Sequence, residues 1–190
     1  MTTVTFDNAQ DLDGFDSTGS DKLVVTLSHE HGEILEVRYG ELKLKPAVAS
    51  PGNQGSLTSI WYLDKPQGKA DLSVRCSAKT NGIGGCVLAL TRTAPGGPDD
   101  SSVGSGKSFR IHSGTNGLVI ASLSMNSSEM ETKGDVPPPL NKIYYLPTGS
   151  NWGGAGYMWI RPDGWAEGKF LGDNDTSSVG VAVFAPDHEH

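Results

Sequence analysis

The chain has 190 residues, with 15 Lys and Arg against 22 Asp and Glu, so its net charge is −7. This length suits one domain, residues 1–190, with a sizeable core. The acidic balance, without a basic run, argues against nucleic acid or an anionic membrane surface as a partner. The 25 glycines and 11 prolines indicate a globular chain with many turns.

Targeting signals are not visible in the sequence. No run approaches the roughly 18 apolar residues of a transmembrane helix, so we expect no membrane span. Residues 1–7 have neither the positive region nor the apolar region of a signal peptide. We therefore expect either a cytoplasmic protein or a mature chain whose leader has been removed.

Short strands with period-two alternation follow one another along the chain. Leu23, Val25 and Leu27 share one face of a strand, and residues 34–39 and 41–45 continue the pattern. Such alternation is typical of half-buried antiparallel strands. Further strands are predicted at residues 4–6, 59–63, 71–78, 86–91, 108–112, 118–124, 142–146 and 179–184.

This succession of elements indicates an all-β protein. About twelve or thirteen short strands, with turn signals between them every roughly 8–14 residues, are typical of a sandwich or barrel. No window has a convincing helical period. The absence of a repeat of about 20–50 residues disfavours a propeller or a solenoid.

Two segments predict β-hairpins. Residues 156–171 contain two apolar runs that meet at Pro-Asp-Gly, a sequence that favours a tight turn. Residues 71–78 and 86–91 flank a Gly-rich turn and are expected to form a second hairpin. Cys76 and Cys86 could then form a disulfide across it or remain free thiols, and the sequence leaves both open.

Several stretches, taken in chain order, resemble the concanavalin A-like (laminin G-like) jelly-roll sandwiches. They are the strands around Gly40, the strand with Trp61-Tyr62, the hairpin between Cys76 and Cys86, Ile160-Arg161-Pro162-Asp163-Gly164, and Val179-Gly180-Val181-Ala182-Val183-Phe184. The resemblance covers about two-thirds of the chain, and it implies function by analogy only. It implies an antiparallel two-sheet β-sandwich that binds or cleaves polysaccharides, with calcium in many members.

Three of the four tryptophans gather around the Pro-Asp-Gly turn together with polar residues. Sugar recognition uses flat aromatic faces with hydrogen-bonding side chains beside them. We therefore predict a non-catalytic carbohydrate-binding or surface-interaction module, whose partner is a glycan or a protein surface. Trp159, on the same strand face as Tyr157, fits a core position better than a surface one. The predicted contact residues are Asn151, Trp152, Tyr157, Arg161, Asp163 and Trp165.

The resemblance also implies two enzymatic alternatives. A polysaccharide lyase would use a histidine and a tyrosine near an arginine, and Arg110 and His112 alternate onto one strand face. A glycoside hydrolase would use two carboxylates, for which Glu129 and Glu131 are the nearest match. The Gln-x-His and Glu-x-Asp-x-x-Glu patterns of such enzymes are absent. The tyrosines available to a lyase are Tyr144, Tyr145 and Tyr157.

Calcium is a candidate cofactor because oxygen ligands recur at the spacing that calcium loops use. Asp173 and Asp175 have this spacing, although no glutamate follows at the distance of an EF-hand. Without calcium, these aspartates are solvated turn residues and the protein has no cofactor. His29 and His31 could chelate another metal, but no third ligand is indicated.

A third function class is a structural one. The absence of a leader favours a coat or capsid-like jelly roll, which would form an oligomer. The sequence thus offers three classes that different measurements separate: a binding module, an enzyme and an assembly subunit.

Overall fold

The computed structural model describes residues 2–6, 11–51, 55–78, 80, 82–126, 134–148, 151–172 and 176–187. Regular structure in these ranges consists of β-strands, and none of the described residues forms a helix that could cross a membrane. The strands are β1 (Thr2–Phe6), β2 (Asp11–Asp16), β3 (Lys22–His29), β4 (Ile34–Tyr39), β5 (Leu42–Lys43), β6 (Lys45–Ala49), β7 (Leu57–Asp64), β8 (Lys69–Cys76), β9 (Ile83–Leu90), β10 (Asp100–Ser105), β11 (Ser108–Ser113), β12 (Gly117–Asn126), β13 (Asn141–Thr148), β14 (Asn151–Ile160), β15 (Gly164–Lys169) and β16 (Ser177–Phe184).

These strands form four antiparallel sheets. The N-terminal inner sheet has the order β1-β9-β3-β7-β6, and the N-terminal outer sheet has the order β2-β8-β4-β5. The C-terminal inner sheet has the order β10-β16-β12-β14-β13, and the C-terminal outer sheet consists of β11 and β15. The predicted all-β, antiparallel class is confirmed, with four sheets where two were expected.

Three hydrophobic clusters show how the sheets are layered. The N-terminal cluster, which includes Leu23, lies between the N-terminal outer and inner sheets. The central cluster, which includes Val24 and Ile120, lies between the two inner sheets. The C-terminal cluster, with Val119 and Ala166, lies between the C-terminal sheets. Neighbouring residues of β3 and β12 thus enter different clusters, so both faces of the inner strands are buried.

The two halves of the chain repeat one topology. Taken in chain order, strands β10 to β16 correspond to β1, β2, β3, β6, β7, β8 and β9. With this correspondence, these strands have the same neighbours in the N-terminal sheets as in the C-terminal sheets. Phe15 pairs with Ala70 in the first half, and Ile111 pairs with Ala166 in the second. Ile111 lies as many positions after Phe15 as Ala166 lies after Ala70, so the register of the outer strands is repeated as well. At this spacing Val-Thr-Leu-Ser of β3 aligns with Ala-Ser-Leu-Ser of β12. Among the described strands, β4 and β5 are the two without a counterpart in the second half.

Packing between the halves follows the same repeat. β3 packs on β14 as β12 packs on β7, and β9 packs on β14 as β16 packs on β7. The inner sheets are therefore related by a pseudo-twofold axis that passes through the central cluster. Each half is one unit of this repeat, which is longer than the periods considered in the sequence analysis.

Both predicted hairpins are wrong, because the strands on either side of each turn belong to different sheets. β14 pairs with β12 and β13, whereas β15 pairs with β11. Likewise β8 pairs with β2 and β4, whereas β9 pairs with β1 and β3. The turns are where the sequence predicts them, but they carry the chain from one layer to the next.

The two cysteines are free thiols. Cys86 lies in the central cluster, whereas Cys76 packs against the N-terminal cluster, so the two side chains lie in different layers of the protein. Burial raises the pKa of the Cys86 thiol to about 12. Burial also raises the pKa of Cys76 above its ordinary value. Both are therefore protonated, poorly reactive thiols at neutral pH.

Candidate functional site

The C-terminal outer sheet presents polar and aromatic side chains to solvent. Arg110 pairs with Glu167, and His112 pairs with Trp165, in the ladder between β11 and β15. Ile111, between the arginine and the histidine, belongs to the C-terminal cluster. Strand alternation therefore places the other four side chains together on the outer surface, which we name the Trp165 face.

Trp165 is the centre of this face, and it is 56% exposed. The guanidinium carbon of Arg110 lies 4.0 Å from the centroid of its ring. The ring of His112 meets it edge-on, with the two centroids 5.0 Å apart. Arg110 Nε also lies 2.7 Å from Glu167 Oε1, so the guanidinium is held by the carboxylate as well as by the indole. These contacts orient an exposed tryptophan on a regular sheet.

The first half of the repeat has charged residues at the positions equivalent to this aromatic surface. Asp16 pairs with Lys69 at the positions where His112 pairs with Trp165. The solvent face of the N-terminal outer sheet also carries the ion-paired residues Glu36, Arg38 and Arg75. Because the same topology forms with charged residues at these positions, the fold itself does not require an exposed tryptophan there.

A second exposed tryptophan, Trp159, lines a cleft at one end of the two inner sheets. Trp159 is 68% exposed, and Tyr157 faces the same cleft from the same strand. The volume of this Trp159 cleft is about 320 Å³. Its other lining residues are Leu90, Thr91, Arg92, Thr93, Leu118, Phe184 and Pro186. The shared face of the two aromatics is confirmed, whereas the core position favoured for Trp159 is wrong.

Two of the predicted contact residues make contacts with other parts of the protein. Asn151 is buried, and its Nδ2 donates to the carbonyl oxygens of His29 and Gly55, both at 3.2 Å. Trp152 is half-buried and stacks on Tyr145, with ring centroids 5.2 Å apart. The amide of Asn151 and the ring of Trp152 are therefore engaged in packing and hydrogen bonding inside the protein.

Two other predicted residues flank the Trp165 face. Arg161 and Asp163 are exposed in the turn before β15, where the carbonyl oxygen of Arg161 accepts a bond of 3.1 Å from Gly164 N. Asp163 has a φ of 52°, as a tight turn requires. The structure thus brings Trp165 together with Arg110 and His112, and it places Tyr157 in the Trp159 cleft.

The tyrosines considered for a lyase lie elsewhere in the described structure. Tyr144 is in the central cluster, and Tyr145 is in the C-terminal cluster. Burial raises the pKa of the Tyr144 hydroxyl well above its usual range, which makes it a poor proton donor or acceptor at neutral pH. Neither tyrosine belongs to the solvent face that carries His112.

Candidate metal ligands fall into two groups. Asp173 and Asp175, like Glu129 and Glu131, lie outside the described residues. Within the part of the chain that is described, no group of three or more His, Cys, Asp or Glu side chains could hold a metal ion. His29 is buried while His31 is exposed, so only one of the two rings of this pair is open to solvent.

No protein-family model, curated protein or solved structure matches the chain. The class of protein therefore follows from the molecule itself: an all-β protein with four antiparallel sheets in two repeated halves. Its two aromatic surfaces include residues that the sequence analysis missed. Glu167 stands two positions after Trp165, so alternation could have placed it on the same face, but only the β11–β15 register reveals its arginine partner.

Proposed function

We propose that this protein is a non-catalytic carbohydrate-binding module, and that the Trp165 face is its contact surface. One observation carries the proposal: an exposed indole is held in place by Arg110 and His112 on a regular two-stranded sheet. Trp165 is the residue of the predicted contact set that combines high exposure with an ordered polar surrounding. Arg161 and Asp163 extend the surface from the adjacent turn.

The chemistry of this face suits a neutral sugar. The C–H-rich side of a pyranose ring can pack on the indole, and neighbouring hydroxyls can bond to Arg110 and Glu167. The guanidinium is already paired with a carboxylate, and the whole chain has a net charge of −7. An anionic polysaccharide would therefore be repelled over long range and would have to compete with Glu167 for the arginine.

Binding should be measured by calorimetric titration and by affinity electrophoresis against neutral polysaccharides (cellulose, xylan, mixed-linkage glucan, galactomannan) and anionic ones (alginate, pectin). We expect a neutral polysaccharide to bind and Trp165→Ala to weaken that binding at least about tenfold, because stacking on an indole is lost. Lys69→Ala is the matched control, since Lys69 occupies the equivalent position of the first half. Lack of binding to the whole panel, or equal binding by Trp165→Ala, would contradict the proposal.

The enzymatic functions that the sequence suggests remain proposals of lower rank. Arg110 and His112 do share a solvent face, but Tyr144 and Tyr145 are buried in other clusters. Assays for new reducing ends and for unsaturated products, run on every polysaccharide that binds, test both the hydrolase and the lyase. Product formation that is lost in His112→Ala would make the protein an enzyme.

Two structural proposals accompany this function. The first is the concanavalin A-like jelly-roll sandwich, which the sequence analysis expects of the whole chain, residues 1–190. The pairing of one inner and one outer sheet around a cluster supports such a sandwich in each half. An experimental structure would test its strand connections.

The second structural proposal is the coat-like assembly, for which a mass measurement in solution would show a large closed oligomer. Calcium, through Asp173 and Asp175, is tested by repeating the titrations with a chelator.

A further inference from the structure

The Trp159 cleft has a counterpart in the first half, which the repeat identifies residue by residue. Lys22 pairs with Asp64 between β3 and β7. Leu118 pairs with Trp159 between β12 and β14, at the equivalent positions of the second half. The end of the inner sheets therefore carries two related clefts, one with a lysine and an aspartate and the other with a leucine and a tryptophan.

The cleft of the first half is filled by the turn of residues 94–98, whose sequence is Ala-Pro-Gly-Gly-Pro. Gly96 N donates to Asp64 Oδ2 at 3.0 Å, and Lys22 Nζ donates to the carbonyl oxygen of Gly96 at 2.7 Å. The same ammonium lies over the ring of Tyr62, 5.2 Å from its centroid. A Pro-Gly-Gly-Pro turn of this chain thus occupies the place that is open beside Trp159.

The open cleft keeps the aromatic wall and loses the polar anchors. Tyr157 is the equivalent of Tyr62, because Tyr157 stands two positions before Trp159 and Tyr62 stands two positions before Asp64. Leu118 and Trp159 replace the two charged residues that bind the main chain of the turn. At these two positions an occupant of the open cleft therefore meets apolar and aromatic surfaces instead of an ion pair, while Thr91, Arg92 and Thr93 are the polar residues of the lining.

The described chain after β16 forms a wall of the Trp159 cleft and not its cover. Ala94 N donates to the carbonyl oxygen of Ala185 at 3.0 Å, and Asp187 N donates to that of Arg92 at 2.9 Å. This pairing holds Pro186 at the side of the cleft. Trp159 is the most exposed of the large hydrophobic residues in the described ranges, so no described residue covers the position that the turn takes in the counterpart.

We propose that the Trp159 cleft binds a proline-containing peptide segment of a partner protein, at the position that the Pro-Gly-Gly-Pro turn takes in the counterpart. Grooves lined by aromatic rings recognise proline-containing segments, because the ring of proline fixes φ and so reduces the entropy that the segment loses on binding. Here Trp159 and Tyr157 supply the rings, and Leu90 and Phe184 supply an apolar floor. This site is independent of the glycan surface at Trp165.

Two synthetic peptides test the proposal on the full chain: hexaproline, and capped Ala-Pro-Gly-Gly-Pro-Asp, which has the sequence of residues 94–99. Calorimetric titration gives the affinity, and the indole N–H resonances in NMR spectra identify the tryptophan that responds. We expect saturable binding of at least one peptide, with a shift of the Trp159 resonance. Trp159→Ala should weaken this binding at least about tenfold, and Trp159→Phe should keep most of it.

Trp165→Ala is the matched control, because it removes the other exposed tryptophan and leaves the cleft intact. It should bind the peptide as the wild type does, which separates this test from the glycan proposal. Three results would overturn the inference: no saturable binding of either peptide, equal binding by Trp159→Ala, or a Trp159 resonance that responds to a polysaccharide and not to the peptides. Since Trp159 is exposed, its replacement leaves the core unchanged.

Discussion

His29 is a buried residue whose environment controls its protonation. Its Nδ1 lies 3.3 Å from the carbonyl oxygen of His31, to which the neutral ring can donate. Burial lowers the pKa of His29 from 6.5 to about 4, because the charged imidazolium would lose its hydration. Met125 takes the equivalent position of β12 and is also fully buried, which shows that an uncharged side chain suits this place in the repeat.

This lowered pKa predicts a pH-dependent stability. Below pH 6.5 the unfolded chain binds a proton at His29, whereas the folded chain does so only near pH 4. Unfolding therefore takes up a proton in this window, and the free energy of unfolding falls as the pH falls. We expect His29 to contribute up to about 3 kcal/mol to this loss between roughly pH 7 and pH 4.

Urea unfolding of the wild type and of His29→Met at several pH values measures this contribution. Acidic residues also titrate in this range, but they do so in both proteins, so the difference between the two curves isolates the histidine. The wild type should lose more stability on acidification than the variant. Parallel curves would show that His29 does not carry the effect.

At the level of single elements, Gly85 shows how tightly the inner strands are packed. A Cβ at this position in β9 would overlap the backbone oxygen of Thr26 on β3. β9 is hydrogen-bonded to β1 on its other side, so it has no room to move away. The residue must therefore be glycine for the ladder between β3 and β9 to close.

We expect Gly85→Ala to lower the free energy of unfolding by at least about 2 kcal/mol, because an overlap with backbone atoms forces strain into the sheet. Gly104→Ala is the control: a Cβ there meets no atom within 4 Å, on the exposed strand β10. Its effect should stay within about 0.5 kcal/mol. Denaturant unfolding of both variants checks this, and equal losses would mean that the contact at Thr26 relaxes freely.

Elements were predictable from the sequence where their signals are local. Alternation in residues 34–39 and the Pro-Asp-Gly turn depend only on neighbouring residues, and both were placed correctly. Which strands pair is not local. The turn at Asp163 connects strands of two different sheets instead of closing a hairpin. The reason is that β14 already has β12 and β13 as its two neighbours in the inner sheet.

The candidate site likewise has one part that the sequence predicts and another part that it does not. Period-two alternation alone groups Arg110 with His112, since both lie on one strand. Their meeting with Trp165 depends on the register between β11 and β15, which are far apart in the chain. The exposure of Trp159 depends on an even more distant comparison, because none of the described residues forms a turn like residues 94–98 over this cleft. No single-strand pattern contains that information.

At the scale of the whole molecule, the central cluster joins the two halves. It takes Val24 and Leu88 from the N-terminal inner sheet and Ile120 and Phe184 from the C-terminal one. A half that folded alone would leave one complete face of its inner sheet in water. The stabilisation that comes from burying this face is gained only when both halves are folded, so the halves should unfold as one cooperative unit.

Ile120→Ala tests this cooperativity, because Ile120 is fully buried in the central cluster. Removing its side chain should cost about 2–5 kcal/mol, from lost burial and the cavity left behind. Hydrogen exchange should show this loss for the amides of β3 and β12 alike, since both exchange through the same global opening. Trp165→Ala, on the solvent face, should change neither set. If the β3 amides kept their protection while those of β12 lost it, the halves would be independent domains that merely touch through the central cluster.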